Sequence, residues 1–153
     1  MKRISLLGVL IGGIVDVVAT NILALPIILY ILLTNVNLLG LTQEEMTKAL
    51  TQILQSNWML FTMQLVVGSF CSILGGYIAA YIAKHDELVN GTLSAYLCVG
   101  IGVYSAIKGL GTESIVLTIL GFILSPALGL FGGYLRVLQL RSRQPRKELI
   151  ATT

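Results

Sequence analysis

The fold is decided by "LIGGIVDVVATN" (residues 10–21), in which Asp16 stands inside an apolar run that extends from about Ile4 to Leu33. A helix of about 20 apolar residues crosses the roughly 30 Å of hydrocarbon in a bilayer, and this run exceeds that length. The 153-residue chain is 56% hydrophobic and only 11% charged, whereas soluble domains carry about 25% charged residues. The sequence therefore predicts an integral membrane protein.

Four apolar stretches predict four membrane-spanning helices within a single domain, residues 1–153. The third stretch is rich in small residues and reaches the required length only when it is extended at both ends. The opening "MKR" is typical of a signal peptide, but the apolar run is too long and ends in no A-x-A-like site, so we expect a retained helix. The predicted spans are residues 4–33, 58–83, 90–109 and 115–140.

Basic residues are distributed unequally between the two sides of these spans. The positive-inside rule places the side with more Lys and Arg in the cytoplasm. Both termini are therefore expected inside the cell, with the protein in the inner membrane and a basic tail, residues 141–153, that either fixes the topology or touches anionic lipid headgroups. One side holds Lys2, Arg3, Lys84, Arg136, Arg141, Arg143, Arg146 and Lys147, and the other holds Lys48 and Lys108.

The connection between the first two spans contains an amphipathic segment, residues 42–56, expected on the extracytoplasmic side. Thr42 and Glu45 have the spacing of a capping box at a helix start. Apolar residues then recur at helical spacing, which predicts a helix lying on the membrane surface. It would serve as a cap over the bundle, or as a lid or docking surface. Its apolar face comprises Met46, Ala49, Leu50, Ile53 and Leu54.

Small residues recur along one face of every predicted span. In membranes such seams let helix backbones approach closely. In the first span the period is four residues: Gly8, Gly12, Asp16 and Thr20. In the third, Cys98 and Gly102 belong to such a seam. The positions expected to pack between helices are Gly8, Gly12, Gly68, Gly75, Gly76, Ala79, Gly102, Gly129, Gly132 and Gly133.

The second and fourth spans also resemble each other at an offset of 57 residues. Each contains "GGY" followed, about two turns later, by a basic residue. The match suggests two helical hairpins related by an axis along the membrane normal, although low-complexity sequence also produces chance matches. The aligned pairs are Gly68 with Ser125, Ser72 with Gly129, Gly75 with Gly132, Gly76 with Gly133, Tyr77 with Tyr134, and Lys84 with Arg141.

Polar residues fall at one depth in the spans. Asp16 lies 12 residues past Ile4, about 18 Å along a helix and so near the bilayer midplane. A carboxyl there is costly when charged and is often functional. Three readings remain open for Asp16: a hydrogen-bonding link between helices, an ion or proton site, or a partner for another subunit. The expected polar site comprises Asp16, Thr20, Asn21, Ser72 and Ser125.

The chain lacks the motifs of common enzymes and cofactor sites, including H-E-x-x-H, C-x-x-C, the nucleophile elbow and the Walker loop. Cys71 and Cys98 lie in apolar runs and read as buried thiols, and His85 belongs to no metal cluster. We expect no enzymatic activity, no metal and no cofactor. The basic tail lacks interleaved aromatic residues, so nucleic acid is not expected as a partner.

Three stretches resemble a group of small prokaryotic four-helix integral membrane proteins: "LIGGIVDVVAT", "LGGYIAAYIAKHDELVNGTLSA" and "SPALGLFGGYLR". The resemblance spans most of the chain, with one departure, since Tyr81 stands where the group often has a basic residue. It implies a four-helix membrane fold and no particular activity.

The expected protein is an all-α, four-helix bundle of the inner membrane with both termini inside. The function that we expect is that of a non-enzymatic structural, accessory or envelope-associated subunit. Its partners would be lipid, a second copy or another membrane subunit. The alternative is a small, oligomeric transporter or channel with a polar site around Asp16.

Overall fold

The computed structural model describes residues 4–107 and 115–151, with side-chain surroundings for all of these except 102, 105–107, 115–120 and 143–151. Throughout these residues the ordered elements are helical, which confirms the all-α prediction. The elements are α1 (Leu6–Thr34), a 3-10 turn (Val36–Gly40), α2 (Gln43–Ser56), α3 (Trp58–Ala83), α4 (Glu87–Ile107) and α5 (Ile115–Ala151).

Three described helical stretches are long and apolar enough to cross a membrane: Leu6–Thr34, Trp58–Ala83 and Gly121–Ser142. Within α4, Glu87–Ile101 is a shorter apolar helix. The weaker third stretch in the sequence therefore corresponds to the shortest apolar helix of the described bundle.

Two helix boundaries differ from those expected. α4 begins at Glu87 rather than at 90, because the preceding turn is closed by Lys84 and Asp86, both with positive φ. α5 continues to Ala151 through most of the predicted tail, because hydropathy marks where lipid ends and not where backbone hydrogen bonding ends. Residues 108 and 109 of the predicted third span, and 152 and 153 of the tail, lie outside the described residues.

The four long helices form a bundle in which α3 and α4 lie between α1 and α5. α1 packs against α3 and α4, α5 packs against the same two helices, and α3 and α4 contact each other. In the described part of the chain α1 does not contact α5. We call the end that carries the start of α1 and the end of α3 the tail end, and the opposite end the α2 end.

The two "GGY" segments pack in opposite order. Gly75 faces α1 and Gly76 faces α5, whereas Gly132 faces α3 and Gly133 faces α4. If a two-fold axis related α1 to α4 and α3 to α5, Gly75 and Gly132 would face equivalent helices, so Gly132 would face α4 as Gly75 faces α1. The contacts of the described residues thus lack the two-fold relation that the sequence match suggests.

α2 lies across the α2 end and covers a small apolar core. Ile31, Leu38 and Leu60 are buried there, with Leu50 and Ile53 of α2 packed against them. The predicted capping box is present: the Glu45 N–H donates to the Thr42 hydroxyl, and the Thr42 N–H donates to the Glu45 carboxylate at 3.0 Å. α2 therefore packs over the α2 end of α1 and α3, and in the described residues it contacts neither α4 nor α5.

One face of α1 is exposed and wholly apolar. It lies opposite Asp16, since Ile14 and Val18 are each about 200° around the helix from that residue. Exposed side chains of this kind recur every three or four residues along the helix, the arrangement of a lipid-facing surface. The face comprises Leu7, Leu10, Ile14, Val18, Ile22, Leu25, Leu29 and Leu33.

Candidate functional site around Asp16

The Asp16 carboxyl lies buried between α1 and α3, with only 4% of the residue exposed. The Ser72 hydroxyl of α3 donates to Asp16 Oδ2 at 3.1 Å. The Thr20 hydroxyl, one turn along α1, lies 3.5 Å from Oδ1, at the outer limit of a hydrogen bond. The carboxyl therefore links two helices through hydroxyl donors.

Glycines bring the two backbones close enough for this link. A Cβ at Gly75 would lie 2.8 Å from both the Asp16 Cβ and the Gly12 carbonyl oxygen, and one at Gly12 would lie 2.6 Å from the Gly75 carbonyl oxygen. No real side chain fits at such distances. The mutual contact of Gly12 and Gly75 is what places Ser72 within reach of Asp16.

α4 closes a third side of the site. The Cys98 thiol donates to the Gly13 carbonyl oxygen at 3.7 Å and also interacts with the Asp16 carboxyl. The Leu97 side chain lies next to the position that a Cβ of Gly13 would occupy. Cys98 was absent from the expected polar site, although it belongs to the small-residue seam of the third span. That seam was the sequence signal that could have identified it.

Two of the five residues expected in the polar site lie away from it. Asn21 is exposed, and its side-chain amide donates back to the Val17 carbonyl oxygen at 2.8 Å. Ser125 is half-buried on α5, which does not contact α1 in the described residues. The structure thus brings together Asp16, Thr20 and Ser72, but not Asn21 or Ser125.

Most of the expected packing positions do lie between helices. Ala79 is fully buried against Gly12, and Gly8 lies beside the Ala79 carbonyl oxygen. Gly68 is the exception, because its Cβ position has no other atom within 4 Å. Gly102 lies among the residues whose surroundings are not described. The remaining positions that pack closely against another helix are Gly75, Gly76, Gly129, Gly132 and Gly133.

The tail end contains two structural residues that the packing prediction omitted. Asn90 is fully buried; its side-chain oxygen accepts from the Ser5 N–H at 2.9 Å, and its amide donates to the carbonyl oxygens of His85 and Asp86. Gly91 packs directly against Gly129. The only sequence signal for either was the Asn-Gly pair at the start of the span.

Among the described residues, the close glycine contacts lie toward the tail end, which we call the closed half; the other half, which we call the open half, contains the core under α2 and three glycines that meet no neighbouring helix. Gly68, Gly100 and Gly121 lie on the α2-end side of the close helix contacts, and none has another atom within 4 Å of its Cβ position. Asp16 lies where the closed part ends, two turns along α1 from Gly8. Its position therefore separates a tightly packed half from a half in which small residues remain uncovered.

The described neighbours of Asp16 suit hydrogen bonding. Among the described residues no group of three His, Cys, Asp or Glu side chains could hold a metal ion. The hydrogen-bond donors to Asp16 found there are the hydroxyls of Thr20 and Ser72, with the Cys98 thiol nearby. A carboxyl with these neighbours can be satisfied as a neutral acid or as a hydrogen-bonded anion.

Comparison of this chain with protein-family models, with curated proteins and with solved structures finds no match.

Proposed function

We propose that this protein is a non-enzymatic accessory or structural subunit of a prokaryotic inner membrane. In this proposal α1, α3, α4 and α5 all cross the bilayer, both termini face the cytoplasm and α2 lies on the outer surface. The three long apolar helices and the unequal distribution of Lys and Arg support this arrangement. The closed tail-end half provides a rigid scaffold.

The observation that carries the proposal is the set of open glycines at Gly68, Gly100 and Gly121. Small residues in membrane helices typically occur where another helix approaches, because they allow close backbone contact. In the described chain no neighbouring helix comes within 4 Å of the Cβ position of any of the three. They therefore suit a helix from a partner subunit or from a second copy of the protein.

Crosslinking in native membranes, followed by mild detergent extraction and affinity purification, tests this role. We expect a stable partner chain or a dimer to be recovered with the wild type. Gly100→Leu should reduce that recovery, because a Cβ at this position meets no other described atom within 4 Å and the larger side chain would fill the space that a partner helix needs. Val18→Leu, on the exposed face of α1, is the matched control and should leave recovery unchanged.

Recovery of the wild type only as a monomer would contradict the subunit role. Equal recovery with Gly100→Leu and wild type would show that the open glycine is not the contact. Melting temperatures of the purified variants establish that both remain folded.

A second function, as a small transporter or channel, is favoured by the position of Asp16 at the boundary between the closed and open halves. An intramembrane carboxyl at such a place is a common element of ion and proton pathways. Asp16→Asn keeps the size of the side chain and an oxygen that accepts from Ser72. Transport predicts that this variant abolishes ion or proton flux in reconstituted vesicles while remaining folded.

Unchanged flux in Asp16→Asn would remove Asp16 from any transport mechanism. Under the structural role, Asp16→Leu mainly lowers the melting temperature, because it leaves Ser72 without its acceptor between the helices. Equal melting temperatures for Asp16→Leu and wild type would contradict that role.

A further inference from the structure

A second polar cluster lies at the tail end, between α3 and α5. Gln139 of α5 accepts a hydrogen bond from the Tyr77 hydroxyl of α3 at 2.6 Å and another from the Arg136 guanidinium. The guanidinium carbon of Arg136 also lies 4.5 Å from the centre of the Tyr81 ring. The Arg136 side chain is thus held in place by an amide oxygen and an aromatic face.

This arrangement fixes the guanidinium without neutralising it. A guanidinium has five N–H donors in a planar fork, and the contact with Gln139 involves one of its terminal nitrogens. In the part of the chain whose side chains are described, Arg136 has no acidic partner. The remaining donors and the full positive charge are available to an anion.

The surroundings of Arg136 are those of a lipid headgroup region. The residue lies near the end of the apolar stretch Gly121–Ser142. Leu135 and Leu138 are exposed beside it, as is the Tyr81 ring. Lys84, which is also exposed, ends α3 one turn beyond Tyr81.

We propose that Arg136, held by Gln139 and Tyr81, binds the phosphate of an anionic phospholipid at the tail end of α3 and α5, with Lys84 as a second cation. A guanidinium fork matches phosphate oxygens in pairs, which a point charge does not. The exposed leucines provide apolar surface along which the acyl chains lie. A soluble phosphate would leave that surface unused. The site rests on the proposed position of the tail end at the membrane surface, but it is independent of the Asp16 cluster and of the subunit role.

Retention of lipid by the purified full-length protein tests the proposal. Protein in micelles is mixed with phosphatidylglycerol or with phosphatidylcholine, and bound lipid is counted by native mass spectrometry. We expect preferential retention of phosphatidylglycerol, and Arg136→Gln should weaken it about fivefold. Arg136→Lys should give an intermediate loss, because it keeps the charge but loses the fork.

Arg141→Gln is the matched control. It removes the same charge from the same helix near the same end, but about 140° around the helix axis from Arg136. Retention in this variant should stay close to that of the wild type. Equal losses in Arg136→Gln and Arg141→Gln would indicate diffuse attraction and would overturn the specific site.

Two further outcomes contradict the proposal. Equal retention of phosphatidylglycerol and phosphatidylcholine by the wild type would show that the site does not select anionic lipid. Displacement of the lipid by inorganic phosphate at similar concentration would indicate a site for free phosphate.

Tyr81→Leu keeps the charge of Arg136 but removes the ring that orients it. Weaker lipid retention in this variant, with an unchanged melting temperature, would show that the ring acts on lipid binding and not on folding.

Discussion

Gly75 and Gly68, two glycines of α3, differ in what an added methyl group would meet. At Gly75 an added Cβ would lie 2.8 Å from the Asp16 Cβ, whereas at Gly68 it would find no other atom within 4 Å. We therefore expect Gly75→Ala to lower the free energy of unfolding by about 1–3 kcal/mol through overpacking. Gly68→Ala should be neutral or should raise it by up to about 1 kcal/mol, because alanine favours helix.

Unfolding of the two variants in mixed micelles, followed by circular dichroism, measures this difference. Both substitutions add the same atoms to α3, so membrane insertion and helix propensity are matched. Equal effects on the midpoint would show that α1 does not approach α3 as closely as these contacts require.

The residues around Asp16 show how far periodicity predicts a site. Asp16 and Thr20 were identified because a four-residue spacing keeps both on one face of a helix. Asn21 lies outside the cluster because it is about 100° further around α1 than Thr20. Its side-chain amide there donates to a carbonyl oxygen of α1 itself. Ser125 also lies outside the cluster, because residues at equal depth in a bilayer need not lie on neighbouring helices.

At the scale of elements, the start of α2 depends on reciprocal hydrogen bonds between Thr42 and Glu45. The Thr42 hydroxyl, and then the Thr42 backbone N–H, lower the pKa of the Glu45 carboxyl below its usual value of 4.5. A lowered pKa means that folding favours the carboxylate, so this contribution is complete above the usual value and is lost as pH falls through the lowered one.

We expect the first turn of α2 to fray as the pH is lowered below 4.5, the usual pKa of this carboxyl, and Thr42→Ala to fray it at neutral pH. Cα chemical shifts of residues 43–47 in micelles report the helix content of this turn. Thr47→Ala is the control, because the Thr47 hydroxyl donates to the Gln43 carbonyl oxygen within the helix and takes no part in the cap. A pH response in Thr42→Ala equal to that of the wild type would contradict the assignment.

The element boundaries show which physical signals a sequence carries. The start of α2 was predictable because capping chemistry is local. The limits of α3 agree with the ends of its apolar stretch, where the structure has Asn57 and Lys84 as caps. The start of α4 was not predictable in this way. It depends on the Asn90 side-chain amide, which donates to the carbonyl oxygens of the preceding turn.

For the whole molecule, the arrangement of the helices was the least predictable feature. Small-residue seams on every span indicated a close bundle, and the close glycine contacts are in fact concentrated toward the tail end. The seams do not indicate which pairs meet, because each helix has small residues on more than one face. The "GGY" match suggested equivalent hairpins, whereas the packing places α3 and α4 together and α1 and α5 apart.

The two native cysteines differ in burial close to Asp16 and can report how tightly the helices pack there. Cys71, next to Ser72 on α3, is fully buried, whereas Cys98 is only partly buried beside Asp16. A fully buried thiol becomes accessible only when the bundle opens, whereas a partly buried thiol can react in the folded state. We therefore expect N-ethylmaleimide to label Cys98 in the Cys71→Ala variant much faster than it labels Cys71 in the Cys98→Ala variant.

The measurement is made in micelles, with both variants also labelled in denaturant to show that each thiol reacts once exposed. Repeating it in vesicles with a charged, membrane-impermeant thiol reagent distinguishes the two functional proposals. Labelling of Cys98 there requires water to reach Asp16, as a transport path demands, because a charged reagent does not cross hydrocarbon. Protection in vesicles combined with labelling in micelles indicates that lipid or a partner helix covers Cys98. Equal labelling rates for Cys71 and Cys98 in micelles would contradict the difference in burial between the two thiols.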